Sequence, residues 1–141
     1  MANSIPILKV DGFLIASIQT SLADRSVFEF QQALLARLAE EQAVGVIIDI
    51  TAIDVVDSFM ARSLNDIAVA VQLLGARAAI VGIQPAVAVA LVEMWLTIPN
   101  AITALNLEQA LKKLREGIDH SNGADAGNGR RDHQQRAASR G

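Results

Sequence analysis

Residues 44–50 are Val-Gly-Val-Ile-Ile-Asp-Ile, a nearly continuous run of apolar, mostly β-branched residues. A run without alternating polar positions is typical of a strand that is buried on both faces, as in a parallel sheet. Parallel strands need long crossover connections, which are usually helices. We therefore interpret this run as a buried strand in a sheet that has helices packed against it.

The residues before this strand predict a hairpin and one helix. Asp11-Gly12 separates two apolar runs, residues 7–10 and 13–18. This arrangement favours a two-residue hairpin turn, because both turn positions need positive φ. From about Asp24 to Glu41 the apolar residues recur at helical spacing. One apolar stripe of that predicted helix consists of Val27, Phe30, Leu34 and Leu38.

The residues after the strand predict two more strands and three more helices. Gly75 is a natural stop for the first of these helices, and Pro85 suits the first position of the next. Asn106, with Gln109 three residues later, resembles a capping box at the start of the last helix. In chain order the elements are a loop at residues 51–57, a helix with apolar positions from Met60 to Leu74, a strand at 77–81, a helix from Pro85, a short strand near Ile102 and a helix from Asn106.

Together these elements predict a single α/β domain over residues 1–119. Its mixed β-sheet begins with a hairpin, and about four helices pack against the sheet. Trp95 is expected to serve as a core anchor of the third helix rather than as an interface residue. Residues 120–141 contain Gly, Arg, Asn and Gln but no large apolar residue. Such a segment cannot bury enough surface to offset its chain entropy, so we expect a mobile polar tail.

Composition argues against several classes of function. The chain has 141 residues and no cysteine, so disulfides, a thiolate nucleophile and cysteine-bound metals are excluded. A net charge of −3 without a basic stripe argues against nucleic-acid binding. Both histidines, His120 and His133, lie in the predicted tail, and the glycine-rich loops that bind nucleotide phosphates are missing from the sequence. With no membrane-spanning run and no signal-peptide pattern, we expect a cytoplasmic protein that is not an enzyme and uses no cofactor or metal.

Three carboxylates follow the buried strand: Asp49, Asp54 and Asp57. Carboxylates at the carboxyl end of a strand can hold Mg²⁺, as in aspartate-based phosphotransfer. That chemistry usually needs a nearby Lys, and residues 51–57 contain none. We therefore favour loop capping and helix-end electrostatics for these residues, and keep a small Mg-dependent phosphotransfer enzyme as an alternative.

Ser58 stands where the predicted second helix begins. The pattern alone favours a structural role, because Ser is a preferred N-cap residue and Asp57-Ser58 precedes the apolar helical positions. A helix N-terminus also tolerates a phosphate, since its free N–H groups and the helix dipole favour negative charge. A phosphate at this position would strongly change the charge of the surrounding surface.

The residues around Ser58 resemble a known family. Residues 46–51, Val-Ile-Ile-Asp-Ile-Thr, followed by Val56-Asp57-Ser58-Phe59, are similar to the signature of anti-sigma-factor antagonists, the STAS domain family. Further similarity points to stressosome scaffold proteins of the RsbS type and covers about residues 5 to 117. It is carried by residues 5–9, 17–19, 82–89 (Gly-Ile-Gln-Pro-Ala-Val-Ala-Val) and 103–108.

This resemblance implies a scaffold that sequesters a switch serine kinase of the RsbT type and releases it under stress, when the serine of the Asp-Ser-Phe motif is phosphorylated. Ser58 matches that serine. The implied partners are an RsbR-type STAS co-antagonist, an RsbX-type phosphatase and further copies in an oligomeric shell. RsbR-type relatives carry a second acceptor threonine and an N-terminal sensory domain. Val81 replaces that threonine here, and no such domain is expected.

The surface expected to face the kinase surrounds Ser58. It comprises Asp54, Asp57, Phe59 and Arg62. A free-standing anti-anti-sigma factor that uses the same serine without forming a shell remains an alternative.

Overall fold

The computed structural model describes residues 5–20 and 24–117. Its five-stranded sheet has the order β1-β2-β3-β4-β5, with β1 antiparallel to β2 and the remaining neighbours parallel. The strands are β1 Ile7–Val10, β2 Phe13–Ser17, β3 Gly45–Asp49, β4 Arg77–Val81 and β5 Ile102–Ala104. The helices are α1 Asp24–Glu41, α2 Ser58–Leu73, α3 Pro85–Glu93 and α4 at residues 107–117. The predicted α/β fold with a mixed sheet, an opening hairpin and four helices is confirmed, while the tail at 120–141 lies outside the described residues.

Helices cover both faces of the sheet, as the apolar run of β3 predicts. Alternate side chains of a strand point to opposite faces. Val46 and Ile48 therefore belong to a core with α1, α2 and α3, whereas Ile47 packs on the other side with α4. All three side chains are fully buried. The first core also contains the predicted α1 residues Phe30, Leu34 and Leu38, and the second contains Phe13, Ala79, Val81, Ala110 and Leu114.

The hairpin turn has the backbone that the Asp-Gly pair predicts. Asp11 has φ of 51° and Gly12 has φ of 86°, so both turn residues are left-handed. The turn sets the register, in which Val10 faces Phe13 and Ile7 faces Ala16. β1 is an edge strand, and Arg37 of α1 donates a hydrogen bond to the carbonyl oxygen of Ile7 while also pairing with Glu41.

Trp95 does not lie in the core, so that expectation is wrong. α3 ends at Glu93, with Met94 as its C-cap. Trp95 then adopts φ of 56°, which turns the chain away from the helix, and the residue is 93% exposed. Val89 and Val92 of α3 are also exposed, at 57% and 74%. The end of α3 therefore presents apolar surface to the outside of the domain.

The predicted cap of the last helix is present, but the reciprocal bond of the capping box goes to the N–H of Leu105 and not to that of Asn106. Asn106 Oδ1 accepts a hydrogen bond from the N–H of Gln109 at 2.9 Å. Gln109 Oε1 accepts one from the N–H of Leu105 at 3.3 Å. In the part of the chain that the structure describes, no helix is both long enough and apolar enough to cross a membrane.

Candidate functional site

The β3–α2 loop, residues 50–57, begins with a hydrogen-bonded turn. Asp49 Oδ1 accepts from both the N–H of Thr51, at 2.9 Å, and Thr51 Oγ1, at 2.5 Å. The N–H of Ile53 donates to the carbonyl oxygen of Ile50 at 2.9 Å. Ile53 and Val56 are buried and fix the loop to the core, while Asp54 and Val55 remain exposed. The loop therefore has a defined path from the sheet to α2.

The segment between β4 and α3 holds the loop from a second side. Gln84 Nε2 donates to the carbonyl oxygen of Thr51 at 2.7 Å. Gly82 lies against Thr51 so closely that a Cβ at this position would be 2.0 Å from Thr51 Oγ1. Because β3 and β4 are parallel neighbours, their carboxyl ends bring residues 51 and 82–84 together. The Gly-Ile-Gln-Pro segment is therefore part of the same site as the β3–α2 loop.

Asp57, not Ser58, is the N-cap of α2, so the structural interpretation of Ser58 as the cap is wrong. Asp57 has extended backbone, with φ of −92° and ψ of 176°, and its Oδ1 accepts from the N–H of Met60 at 2.8 Å. Asp and Ser are similarly good caps, and here the residue that precedes the first helical turn takes the role. Ser58 is the first helical residue, and it is exposed.

The hydroxyl of Ser58 is not used to hold the helix end. Among the described residues, the only side-chain hydrogen bond to Ser58 reaches its carbonyl oxygen, from Arg62 Nε at 3.3 Å. The first turn of α2 therefore presents an accessible hydroxyl group at the positive end of the helix dipole. That position suits an added negative charge.

The four residues predicted to face a partner surround this hydroxyl in sequence and lie in one loop and one helical turn. Asp54, Asp57 and Arg62 are exposed, and Phe59 is half-buried. The carbonyl oxygen of Phe59 accepts from Ser63 Oγ at 2.8 Å. The surface thus combines two carboxylates, one guanidinium and part of one aromatic ring.

The structure does not gather Asp49, Asp54 and Asp57 into a single cluster. Asp49 is engaged with Thr51, and Asp57 caps α2. Over residues 5–20 and 24–117, no group of three or more His, Cys, Asp or Glu side chains is placed to hold a metal ion. The contacts of Asp49 and Asp57 are those expected of residues that cap a loop and a helix.

Reasoning from the sequence missed Thr51 and Gln84 as structural partners. The contact between them spans 33 residues, and it depends on which strands are neighbours in the sheet. A signal is nevertheless present in the sequence, because Gly82 ends an apolar strand directly before a polar residue and a proline. Such a glycine often marks a close approach of two backbones.

Comparison with known proteins identifies the family. Residues 4–110 match the family described as the STAS domain. Among curated proteins, the RsbT co-antagonist protein RsbRA of Bacillus subtilis (strain 168) is 29% identical over 106 residues, or 75% of this chain. The match spans only 37% of the length of that relative.

Two solved structures are similar over nearly their whole length. One is RsbS of Moorella thermoacetica carrying the substitution S58E, with 39% identity, a TM-score of 0.70 and coverage of 83% of this chain and 99% of that one. The other is a chain from a structure described as the molecular architecture of the stressosome, a signal integration and transduction hub. It has 42% identity, a TM-score of 0.69 and coverage of 80% of this chain and 98% of that one. The chain therefore shares its fold and about two fifths of the aligned residues with RsbS of Moorella thermoacetica and with this stressosome chain.

Proposed function

This chain belongs to the STAS domain family, and we propose that it is a stressosome scaffold that sequesters a switch serine kinase of the RsbT type and releases it when Ser58 is phosphorylated. In this proposal the chain acts in the cytoplasm as a binding protein and not as an enzyme. The observation that carries the proposal is the exposed Ser58 at the first position of α2, with its hydroxyl left free by Asp57. The identities of 39% and 42% to the RsbS and stressosome structures support the same assignment.

The chemistry asked of Ser58 is compatible with its surroundings. The kinase would transfer the γ-phosphoryl group of ATP to Ser58 Oγ, with ADP as the leaving group and the hydroxyl proton passing to a base of the kinase. The modification adds about −1.5 to −2 charges at neutral pH. Because the modified atom lies at a helix N-terminus, α2 tolerates this charge.

Phosphorylation changes the surface that we assign to kinase binding. Asp54, Asp57, Phe59 and Arg62 lie in the loop and first turn around Ser58, and three of the four are exposed. Two carboxylates and one guanidinium give this surface a small negative charge. A phosphate at its centre makes the charge roughly three times larger and adds three acceptor oxygens. A kinase surface complementary to the unmodified state would then meet repulsion, and this provides the release.

The assembly partners of the proposal are other STAS domains. An RsbR-type co-antagonist and further copies of this chain would share an oligomeric shell, and an RsbX-type phosphatase would remove the phosphate. The exposed apolar residues Val89 and Val92 of α3 and Trp95 just after it support an assembly role, because exposed apolar surface favours protein contacts. Val81, at the position of the second acceptor in RsbR-type relatives, is 2% exposed and carries no hydroxyl. Ser58 is therefore the single acceptor in this proposal.

The test is the intact mass of the protein after incubation with an RsbT-type kinase and ATP. The wild-type protein is expected to gain one phosphate, and Ser58→Ala none. Ser63→Ala is the matched control, since Ser63 lies in the same helix but is 9% exposed and donates to the carbonyl oxygen of Phe59. That control should gain one phosphate like the wild type. Strong modification of Ser58→Ala would refute the assignment of the acceptor.

Size-exclusion chromatography with a co-expressed RsbR-type partner tests the shell. Co-elution in a large complex is expected, whereas a free-standing anti-anti-sigma factor would elute as a small species. Calorimetric titration with Mg²⁺ tests the phosphotransfer alternative, and we expect no binding heat at the carboxylates Asp49, Asp54 and Asp57.

A further inference from the structure

We propose that Arg62 is the residue that holds the phosphate on Ser58, leaving its contact with the Ser58 carbonyl oxygen when the serine is modified. This inference rests on the proposed function, because it names the intramolecular partner of the same modification. It makes Arg62 a positioning residue whose side chain has a different partner in each state of the switch.

The position of the Arg62 side chain points to this role. Residues four apart on a helix are neighbours on its surface, and helical side chains lean towards the N-terminus. Arg62 follows this rule, and its Nε lies 3.3 Å from the carbonyl oxygen of Ser58. Asp66 is the other residue four positions away, yet Arg62 makes no ion pair with it or with any other described residue. The guanidinium group therefore already contacts the residue that would carry the phosphate, at its carbonyl oxygen.

Arg62 is the only basic residue close to Ser58 in the sequence. Residues 51–73, which comprise most of the β3–α2 loop and all of α2, contain no other Lys, Arg or His. The nearby carboxylates Asp54 and Asp57 would repel a phosphate, and a cation beside the phosphate would offset this repulsion in addition to the helix dipole. Arginine offers a planar array of N–H donors that matches phosphate oxygens in bidentate geometry. Arg62 is exposed, and its present bond to a carbonyl oxygen at 3.3 Å is long, so little is lost when it turns to the phosphate.

Pairing of Arg62 with the phosphate would change the surface that the kinase binds. In the unmodified state, the Arg62 guanidinium is held by one long bond and remains available to a carboxylate of a partner. In the phosphorylated state the same guanidinium is paired with the phosphate. The modification thus withdraws the only basic group of the segment from the surface while adding negative charge, and both changes oppose capture of the same partner.

The test places phosphoserine at position 58 during translation with a suppressor tRNA, so no kinase is required. Phosphorus NMR at low ionic strength then gives the second pKa of the phosphate by titration. We expect this pKa to be about 0.5 unit lower in the wild-type background than with Arg62→Gln, as for an exposed pair of opposite charges. A difference of less than about 0.2 unit would overturn the proposal.

Two further variants separate the pairing from general charge effects. Arg62→Lys keeps the positive charge and is expected to retain at least half of the difference, and a variant that retains none would overturn the proposal. Lys112→Gln removes one exposed charge from α4, on the opposite face of the sheet, and should leave the pKa of the phosphate unchanged. Failure of the kinase to modify Ser58 in the intact-mass experiment would count against the proposed function but not against this pairing, because the phosphate here is installed without the kinase.

Discussion

Substitution of Gly82 by alanine tests whether the Gly-Ile-Gln-Pro segment positions the β3–α2 loop. Gly82 has φ of 79°, and an added Cβ would lie 2.0 Å from Thr51 Oγ1, 2.9 Å from Thr51 Cβ and 3.0 Å from Thr51 Cα. Rotation of the threonine side chain cannot relieve the contact with its Cα. Thr51 is also held by Asp49 and by Gln84. The chain must therefore move apart at the point where the loop leaves the sheet.

The expected cost has two parts. An L-residue in the left-handed region costs about 1–2 kcal/mol. Overpacking against a fixed neighbour costs about 1–3 kcal/mol more. Gly82→Ala should therefore lower the free energy of unfolding by roughly 2–5 kcal/mol. Gly75→Ala is the matched control, because Gly75 has φ of 87° but its added Cβ would meet nothing within 4 Å. The control carries only the backbone part, about 1–2 kcal/mol.

Urea unfolding followed by circular dichroism measures both variants against the wild type. The reasoning predicts that Gly82→Ala loses at least about 1 kcal/mol more than Gly75→Ala, which is the lower estimate of the packing cost. Equal losses of unfolding free energy in the two variants would show that the close contact between Gly82 and Thr51 does not add to the cost of an alanine at position 82. In that case the β3–α2 loop would not depend on the segment that follows β4.

Three further predictions concern the cap, the exposed indole and the modified serine. Asp57→Ala removes the acceptor for the Met60 N–H and should lower the free energy of unfolding by about 1 kcal/mol, whereas Asp57→Asn keeps an acceptor and should lower it by less than about half of that. Identical urea midpoints for the two variants would contradict the capping role of Asp57. Trp95→Ser removes the apolar side chain of a residue that is 93% exposed, so light scattering should show weaker self-association or weaker binding to an RsbR-type domain. An unchanged mass distribution would count against an assembly role for this surface. Ser58→Asp supplies one charge and fewer acceptors than a phosphate, so it should weaken kinase binding only partly in calorimetry, and an affinity equal to that of the wild type would argue against a charge-based release.

The fold follows from local signals that agree with one another. The β-branched run of β3 predicts burial on both faces, and the sheet provides it with α1 to α3 on one side and α4 on the other. Asp11-Gly12 predicts the hairpin because few other pairs adopt two positive φ values at so little cost. The bounds of α1, from Asp24 to Glu41, coincide with the range over which the helical spacing continues.

The errors arise where two residues offer the same signal or where the chain direction changes. Asp57 and Ser58 are both good caps, so the sequence alone does not show which of the two residues is the N-cap of α2. The helical spacing of α3 continues to Trp95, but the left-handed backbone after Met94 cannot be derived from that spacing. The bond from Gln84 to Thr51 depends on strand order, and it becomes visible only when β3 and β4 are placed side by side.

The affinity of an RsbT-type kinase for the unmodified protein and for the protein with phosphoserine at position 58 is the measurement that bears most directly on the proposed switch. Calorimetry on the two forms, with the same kinase preparation, gives both dissociation constants. We predict that the unmodified protein binds the kinase and that the phosphate weakens binding by at least about tenfold, which corresponds to about 1.4 kcal/mol. Dissociation constants that agree within about twofold would contradict the claim that Ser58 controls release of the kinase.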